Sequence, residues 1–383
     1  MTILAFAVTG CGAAVSGTAV RQETDLATLD VGNYQTRPRT IGNAKNLKQA
    51  RVRESQRLSD FVALPSEADP GYVEDQTGGI RSHLVLNRKG MGDLVINDTF
   101  NDVAKDLLAG WVNAENTGGP SGDTPRRTLS IAVLEFPDAR TAAEVGPVLE
   151  HDDFTYNPDN VPVELPKYPA AKAHWRPMVS SIGSWTMHER YVVFIKVVDD
   201  TTAPDLPALV AHTQRMLDVQ LPLLDKFEPT PADRLKTIPL DPDGLLGRTL
   251  PTNPAFRYRP DPDGVYTGRG GLTGLDHATT RFLTDGDVDR IALGDTLVAR
   301  SRTAGGALNA WRKLEAELRE DQKRMPIDPP KGIRGNVVCF REPNPTYSLC
   351  AFQIDRYVVQ AVSSQRQDIY QKISAQYALL TSR

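Results

Sequence analysis

Serine, histidine and carboxylate side chains carry most enzyme chemistry, and we compared their spacing with common catalytic patterns. Residues 181–185 (Ser-Ile-Gly-Ser-Trp) lack the flanking glycines of the Gly-x-Ser-x-Gly turn that exposes the nucleophile of α/β-hydrolases. His188 precedes Glu189, but no second histidine follows at the helical spacing that zinc proteases use. We therefore assign no catalytic residue from the sequence and favour a non-enzymatic role.

Two Asp-Pro-Asp-Gly segments, at residues 241–244 and 261–264, place carboxylates close together, as calcium sites do. Neither segment supplies the further acidic positions of an EF-hand loop, so capped turns are the better interpretation. The glycine-rich residues 267–274 lack the Lys-Ser/Thr that ends a phosphate-binding loop. The sequence therefore predicts no metal and no cofactor.

Cys11 follows a short apolar run that ends in small residues. Residues 8–11 (Val-Thr-Gly-Cys) resemble the bacterial lipobox position by position, in which the cysteine thiol carries a diacylglycerol. No lysine or arginine precedes Cys11, whereas a signal peptide opens with positive charge and spans about 15–30 residues. We expect Cys11 to be lipidated and the natural start to lie upstream; the alternative is a buried strand with a core cysteine.

Cys339 and Cys350 are the two remaining cysteines. They lie in β-rich runs separated by Glu-Pro-Asn-Pro-Thr, which is a strong turn composition. A hairpin brings facing residues to Cβ separations of about 4.5–5.5 Å, close to what a disulfide needs. We predict a Cys339–Cys350 disulfide, which persists in an oxidising compartment; two buried free thiols are the alternative.

The composition is that of an ordinary globular protein. The chain has 383 residues, of which 40% are hydrophobic and 24% charged, so two or three domains with a sizeable core are expected. The formal net charge of −4 argues against a nucleic-acid partner, because nucleic-acid binders carry a basic stripe or a high pI.

Apolar periodicity predicts the elements of the first half. Phe100, Val103, Leu107 and Trp111 recur at helical spacing, which predicts a helix over residues 98–112. Residues 113–125 are rich in Gly, Pro and Asn and are expected to form a loop. Residues 128–136 read as a buried strand, followed by a helix that extends to about Leu149.

An internal duplication is indicated by two pairs of matching landmarks in the same order. Arg140-Thr-Ala-Ala matches Arg302-Thr-Ala-Gly, and Glu189-Arg-Tyr-Val-Val matches Asp355-Arg-Tyr-Val-Val. Each half then ends in an amphipathic helix, so each reads strand, helix, hairpin, helix. We predict an α+β fold with two tandem related domains, each an antiparallel sheet packed by amphipathic helices. The predicted bounds are a signal segment 1–11, a tether and extended arm 12–50, a first domain 51–227, an irregular connection 228–274 and a second domain 275–383.

Several segments together resemble an uncharacterised family of actinobacterial cell-envelope lipoproteins. They are the lipobox, residues 29–34 (Leu-Asp-Val-Gly-Asn-Tyr), residues 238–251 and the ending 373–380. The resemblance covers nearly the whole chain. It implies an envelope location, and it brings no catalytic residues.

The sequence leaves the function open between three classes. The favoured one is a non-catalytic extracytoplasmic binding protein, lipid-anchored in the cell membrane, whose ligand is an envelope lipid, glycolipid or protein. The partner expected through Cys11 is the lipid bilayer, and no ligand-binding residue is assigned. The alternatives are a hydrolase of envelope esters or glycans and a structural scaffold; a deep apolar pocket, a convergent catalytic cluster or a flat surface would distinguish them.

Overall fold

The computed structural model describes residues 26–73, 82–92, 94–95, 98–118, 124–253, 261–271, 284–343 and 346–382. The described strands form two antiparallel sheets of seven strands each, with helices on both faces. The predicted α+β class is confirmed. Cys11 and its lipobox lie outside the described residues.

The first sheet has the strand order β1-β2-β3-β7-β6-β5-β4. Strands such as β7 are rich in β-branched and aromatic residues, which pack well on a pleated surface. The bounds are β1 His83–Leu84, β2 Ala109–Asn116, β3 Arg127–Glu135, β4 Val161–Val163, β5 Lys172–Trp175, β6 Ser181–His188 and β7 Tyr191–Asp199.

The second sheet has the order β11-β12-β13-β14-β10-β9-β8. Its bounds are β8 Gly264–Tyr266, β9 Val288–Leu293, β10 Thr296–Ser301, β11 Met325–Ile327, β12 Asn336–Pro343, β13 Thr346–Ile354 and β14 Tyr357–Ser363. The fully described helices are α1 Leu47–Leu58, α2 Pro65–Ala68, α3 Arg88–Met91, α4 Phe100–Val103, α5 Ala139–Tyr156, α6 Leu206–Leu224, α7 Ala304–Glu320 and α8 Arg366–Thr381.

The two sheets have the same topology. When the second sheet is listed from its β8 edge, its order is β8-β9-β10-β14-β13-β12-β11. Strands β1 to β7 therefore correspond, in chain order, to strands β8 to β14. Helices α5 and α7 follow the third strand, and α6 and α8 follow the seventh. Tyr191 and Tyr357 both begin the seventh strand after turns at Glu189 (φ 49°) and Asp355 (φ 52°). The predicted duplication is confirmed.

One of the two sequence matches behind that prediction is not structurally equivalent. The N-cap of α5 is Asp138, which accepts a hydrogen bond from the Thr141 N–H, and the N-cap of α7 is Thr303, which accepts from the Gly306 N–H. Arg140 therefore lies inside its helix, whereas Arg302 precedes its cap. The Arg-Thr-Ala match is coincidental, and the Arg-Tyr-Val-Val match is the informative one.

Large hydrophobic clusters fill the faces of the sheets. The cluster under α5 contains Leu134 and Phe194, and the cluster under α8 contains Phe352 and Tyr377. The largest cluster includes residues of both halves, among them Leu217 of α6 and Trp311 of α7. Because this cluster crosses the boundary, the two domains share part of their core.

The helix expected over residues 98–112 is wrong in most of its length. Only α4 is helical there, while Trp111 lies in β2, a strand buried along its whole length. The expected loop 113–125 likewise begins inside β2. Because β2 is covered on both faces, its sequence lacks the apolar–polar alternation that marks a half-exposed strand. The helical spacing of the apolar residues before it arose by chance and led to the wrong prediction.

Two predicted domain boundaries also differ from the structure. Helix α1 begins at Leu47, inside the segment expected to be a tether, and packs on β2. Strand β8 lies in the segment expected to be a connection, but it is the edge strand of the second sheet. The second domain therefore begins before residue 275. Short edge strands such as β8 carry too few residues for a clear periodic pattern.

Candidate functional site

A polar pocket of about 340 Å³ opens between the C-terminal end of α5 and strands β5, β6 and β7. This volume falls within the range of about 300–1,000 Å³ that is typical of ligand pockets. Its lining combines ionisable, amide and aromatic side chains: Leu94, Asp153, Tyr156, Asn157, Asn160, His174, Trp175, Arg176, Val179, Ser181, Gly183, Phe194 and Lys196. We call it the first-sheet pocket.

Asp153 lies in the last turns of α5 and points toward the sheet. Its carboxylate accepts a hydrogen bond from Nε1 of Trp185 at 2.8 Å, and Trp185 is fully buried. Burial raises the pKa of Asp153 above its ordinary value, and the Trp185 bond and His174 only partly oppose this. A carboxyl group held in this way is both a hydrogen-bond acceptor and, when protonated, a donor.

His174 lies on β5, with its Nε2 atom 3.6 Å from the Asp153 carboxylate. Burial lowers the pKa of His174, which favours the neutral ring at pH 7. In the tautomer that carries the ring proton on Nε2, next to Asp153, Nδ1 is an acceptor. This buried Nδ1 has no hydrogen-bond partner among the described residues. His174 is also one of the residues that line the pocket.

Gly183 on β6 makes room for the His174 ring. A Cβ atom at position 183 would lie 3.2 Å from both Cε1 and Nε2 of His174, which is tighter than most side-chain contacts. Because β6 pairs Gly183 with His174 on one side and Lys196 on the other, the glycine lies between two other lining residues of the pocket.

A cation and aromatic rings complete the pocket. The Lys196 ammonium donates to the Leu94 carbonyl at 3.5 Å. Trp175 is half-buried at the lining, and Tyr156 is 60% exposed. The neighbouring hairpin holds Met178 at φ 67° with 82% of its surface exposed. Strained backbone is common at binding sites.

The predicted disulfide is present in the second domain. Cys339 on β12 lies directly opposite Cys350 on β13, and the two sulfur atoms are bonded. The bond packs in the cluster under α8 with Ile373 and Tyr377. The C-terminal helix α8 packs on β13 and β14, next to this bond.

His188 and Asp241, which were also considered from the sequence, have structural roles. His188 Nε2 lies 2.7 Å from Asp225, outside the pocket lining. Asp241 accepts hydrogen bonds from the backbone of Leu246 and Gly247, as expected of a capped turn. Among the described residues, no group of three or more His, Cys, Asp or Glu is placed to hold a metal ion.

Asp153, His174 and Lys196 were not predicted from the sequence, because they lie on three separate elements. Two local signals point toward them. Lys196 interrupts the otherwise apolar run of β7, and Gly183 interrupts β6. A charged residue and a glycine within strands indicate an unusual surface, but only the strand pairing places them next to each other.

Comparison with protein families identifies the chain. A model described as "Domain of unknown function (DUF7373) N-terminal" matches residues 41–240, and the corresponding C-terminal model matches residues 245–383. The chain therefore belongs to the DUF7373 family. The boundary between the two models falls between the two sheets.

Curated proteins and solved structures add little to this assignment. No curated protein matches the chain. Among solved structures, the crystal structure of the extracellular domain of PknH from Mycobacterium tuberculosis aligns with 45% of this chain and 97% of that chain, at 11% identity and a TM-score of 0.31. Within the described residues, no helix has the length and apolar character needed to cross a bilayer.

Proposed function

We propose that the protein is an extracytoplasmic binding protein whose first domain holds a hydroxyl-rich ligand, such as the sugar of an envelope glycolipid, in the first-sheet pocket. The observation that carries this proposal is a pocket of ligand size whose lining includes His174, a residue with a buried Nδ1 that has no partner among the described residues. An unsatisfied buried acceptor costs about 1–3 kcal/mol, and a bound hydroxyl would recover that cost.

The rest of the lining fits a saccharide. Asp153, Asn157 and Asn160 offer acceptors or donors in several directions, as a ring with many hydroxyl groups requires. Trp175 and Tyr156 offer flat apolar faces at the lining on which a sugar ring can stack. Arg176 and Lys196 give the pocket a positive balance, which also tolerates an acidic substituent.

Ligand-observed NMR tests the proposal with a defined panel, the methyl glycosides of glucose, mannose, galactose and arabinose. At least one should bind saturably, and His174→Phe should weaken that binding by tenfold or more because it removes the acceptor. His188→Phe is the matched control, since His188 lies on the same sheet outside the pocket. Equal binding by wild type and His174→Phe, or no binding by the panel, would contradict the proposal.

For location, we propose that the chain is an envelope lipoprotein of actinobacterial type, anchored through Cys11. The lipobox residues 8–11 support the anchor. The Cys339–Cys350 bond supports an oxidising compartment, because disulfides are rare in reducing cytosol.

Fractionation of cells tests the anchor. Wild-type protein should be found with membranes and carry a diacylglycerol on Cys11 by mass spectrometry. Cys11→Ala should move the protein to the soluble fraction without altering its fold. Membrane-extracted protein with an unmodified Cys11 would exclude lipidation.

One observation favours a second candidate, a hydrolase. A histidine beside a carboxylate in the lining of a pocket resembles the base half of a nucleophilic site. Hydrolysis of p-nitrophenyl butyrate, abolished by His174→Ala and unaffected by His188→Ala, would select this candidate.

A further inference from the structure

A second pocket, of about 410 Å³, lies where the two family segments meet. It is lined by the arm before α1, one side of α1, the chain around Leu240 and Leu246, and the residues leading into β8: Arg39, Ile41, Lys48, Gln49, Val52, Arg53, Gln56, Leu240, Leu246, Pro262 and Asp263. We call it the junction pocket. It shares no lining residue with the first-sheet pocket.

The walls of the junction pocket are mainly apolar. Ile41 comes from the arm, Val52 from α1, and Leu240, Leu246 and Pro262 from the connection. Apolar walls that face water in a pocket of this size are favourably covered by an apolar ligand. The first-sheet pocket, in contrast, has ionisable groups on its floor.

The charged groups in the junction pocket are unbalanced. Three cations, Arg39, Lys48 and Arg53, face one carboxylate, Asp263, which already accepts a hydrogen bond from the Thr252 N–H. The occupant that matches this lining has an apolar body and a negative end.

Arg53 is the buried residue among these three cations. Its side chain is 8% exposed, and Nη1 donates to the Val265 carbonyl of β8 at 2.5 Å. Its Nε is buried with no partner among the described residues. Burial, which costs the guanidinium groups hydration, lowers the pKa of Arg53 and of Arg39. Nearby carboxylates, Asp60 and Glu54 for Arg53 and Asp263 and Asp241 for Arg39, only partly oppose this loss. An anionic group would compensate for that loss.

We propose that the junction pocket binds a single-chain anionic lipid, of which a fatty acid is the simplest member, with its chain among the apolar walls and its carboxylate near Arg53 and Lys48. This site is independent of the proposed saccharide site. Because its walls come from both family segments, the lipid would bind only when the two domains are packed together.

Titration of the full chain carrying Cys11→Ala with dodecanoate, below its micelle concentration, tests the proposal by calorimetry and native mass spectrometry. One equivalent should bind. Methyl dodecanoate should bind at least tenfold more weakly, because it lacks the charge. Lys48→Glu should weaken dodecanoate binding at least fivefold, and Val52→Trp should abolish it by filling the cavity.

Matched control variants show whether binding depends on the junction pocket itself. Lys45→Glu changes the same charge at an exposed position just before α1, outside the lining, and should alter affinity less than twofold. His174→Phe should leave dodecanoate binding unchanged. Circular dichroism should show that each variant is folded.

Three results would overturn the proposal: no saturable binding of dodecanoate, equal binding of the methyl ester, or unchanged binding by folded Val52→Trp. Loss of dodecanoate binding in His174→Phe would also overturn it, because the lipid would then occupy the first-sheet pocket. That outcome would leave the saccharide proposal to be judged by its own glycoside titration.

Discussion

Asp153 on α5 and Leu318 on α7 lie at the same distance from their helix N-caps, on equivalent faces of the two sheets. Asp153 lines the first-sheet pocket, whereas Leu318 is 3% exposed and belongs to the largest hydrophobic cluster. The equivalent helix position therefore lines the first-sheet pocket in the first domain and packs in the hydrophobic core in the second domain.

The strand positions around them differ in the same way. His174, opposite Gly183, corresponds to Phe340, opposite Leu349. On the next strand, Lys196 corresponds to Val362. Ordinary apolar packing is thus compatible with this fold at each of these positions. The fold did not require the polar residues of the first domain, which is why we attribute them to ligand binding.

Exchange of the helix residues gives the largest expected effect. Leu318→Asp should lower the free energy of unfolding by about 4 kcal/mol or more, because it removes a buried leucine and buries a carboxylate without a prepared partner. Asp153→Leu should change stability by about 1 kcal/mol, since added apolar burial offsets the lost Trp185 bond. Urea denaturation measures both. Equal destabilisation by the two substitutions would mean that the two faces are not specialised differently.

The disulfide is the second point of contrast. Cys339 and Cys350 lie opposite each other in the second sheet. The equivalent pair in the first sheet is Ala173 and Ser184, which cannot form a disulfide. The double substitution Cys339→Ser/Cys350→Ser should cost roughly 2–4 kcal/mol of stability in the chain-entropy model, and less if the hairpin already restrains the chain. Denaturation of oxidised and reduced wild type provides the control. Free reaction of both thiols with maleimide in unreduced, denatured protein would show that the bond is absent.

The third strands also differ at the residues that pair with Tyr191 and Tyr357, which are Glu135 and Arg300. Arg300 forms two hydrogen bonds to Asp289, at 2.9 and 2.7 Å, whereas the fully buried Glu135 carboxyl has no hydrogen-bond partner among the described residues. Burial, and then the nearby Glu54 carboxylate, raise the pKa of Glu135 from its ordinary value of 4.5 to about 8. The folded protein therefore keeps this proton at pH 7.

A pH series tests the Glu135 assignment. The unfolded chain releases the proton above about pH 4.5, so this group should lower stability as the pH rises from 4.5 to 8. Glu135→Gln should remove that loss, worth on the order of 3 kcal/mol at pH 8 relative to pH 5. Glu189→Gln, at an exposed position on the adjacent turn, should leave the pH dependence unchanged. Parallel pH profiles for wild type and Glu135→Gln would refute the raised pKa.

Much of the fold could be predicted from local patterns. The strand and helix after residue 127, the repeated Arg-Tyr-Val-Val turn and the Cys339–Cys350 hairpin each carry their signal within a short stretch of chain. Strands β2 and β8 could not be recognised, because β2 is buried on both faces and β8 has three residues. Pairing with distant strands, rather than local propensity, defines them.

The candidate site was less predictable than the fold. Asp153, His174 and Lys196 are separated along the chain and follow no fixed spacing, so only the strand register and the position of α5 bring them together. The cysteines differ because a disulfide across a tight hairpin is a local feature. Sites assembled from separate elements require the topology first.

The shared hydrophobic cluster has a consequence for the order of folding. Trp111 of the first domain packs against Tyr266 of β8, and Arg53 reaches the Val265 carbonyl across 212 positions of sequence. At roughly 5–20 residues per second, synthesis separates Trp111 from Tyr266 by on the order of ten seconds. During that interval the first domain has no partner for this part of its surface. The first domain is therefore completed only after its own sequence has been synthesised, when the edge strand of the second sheet arrives.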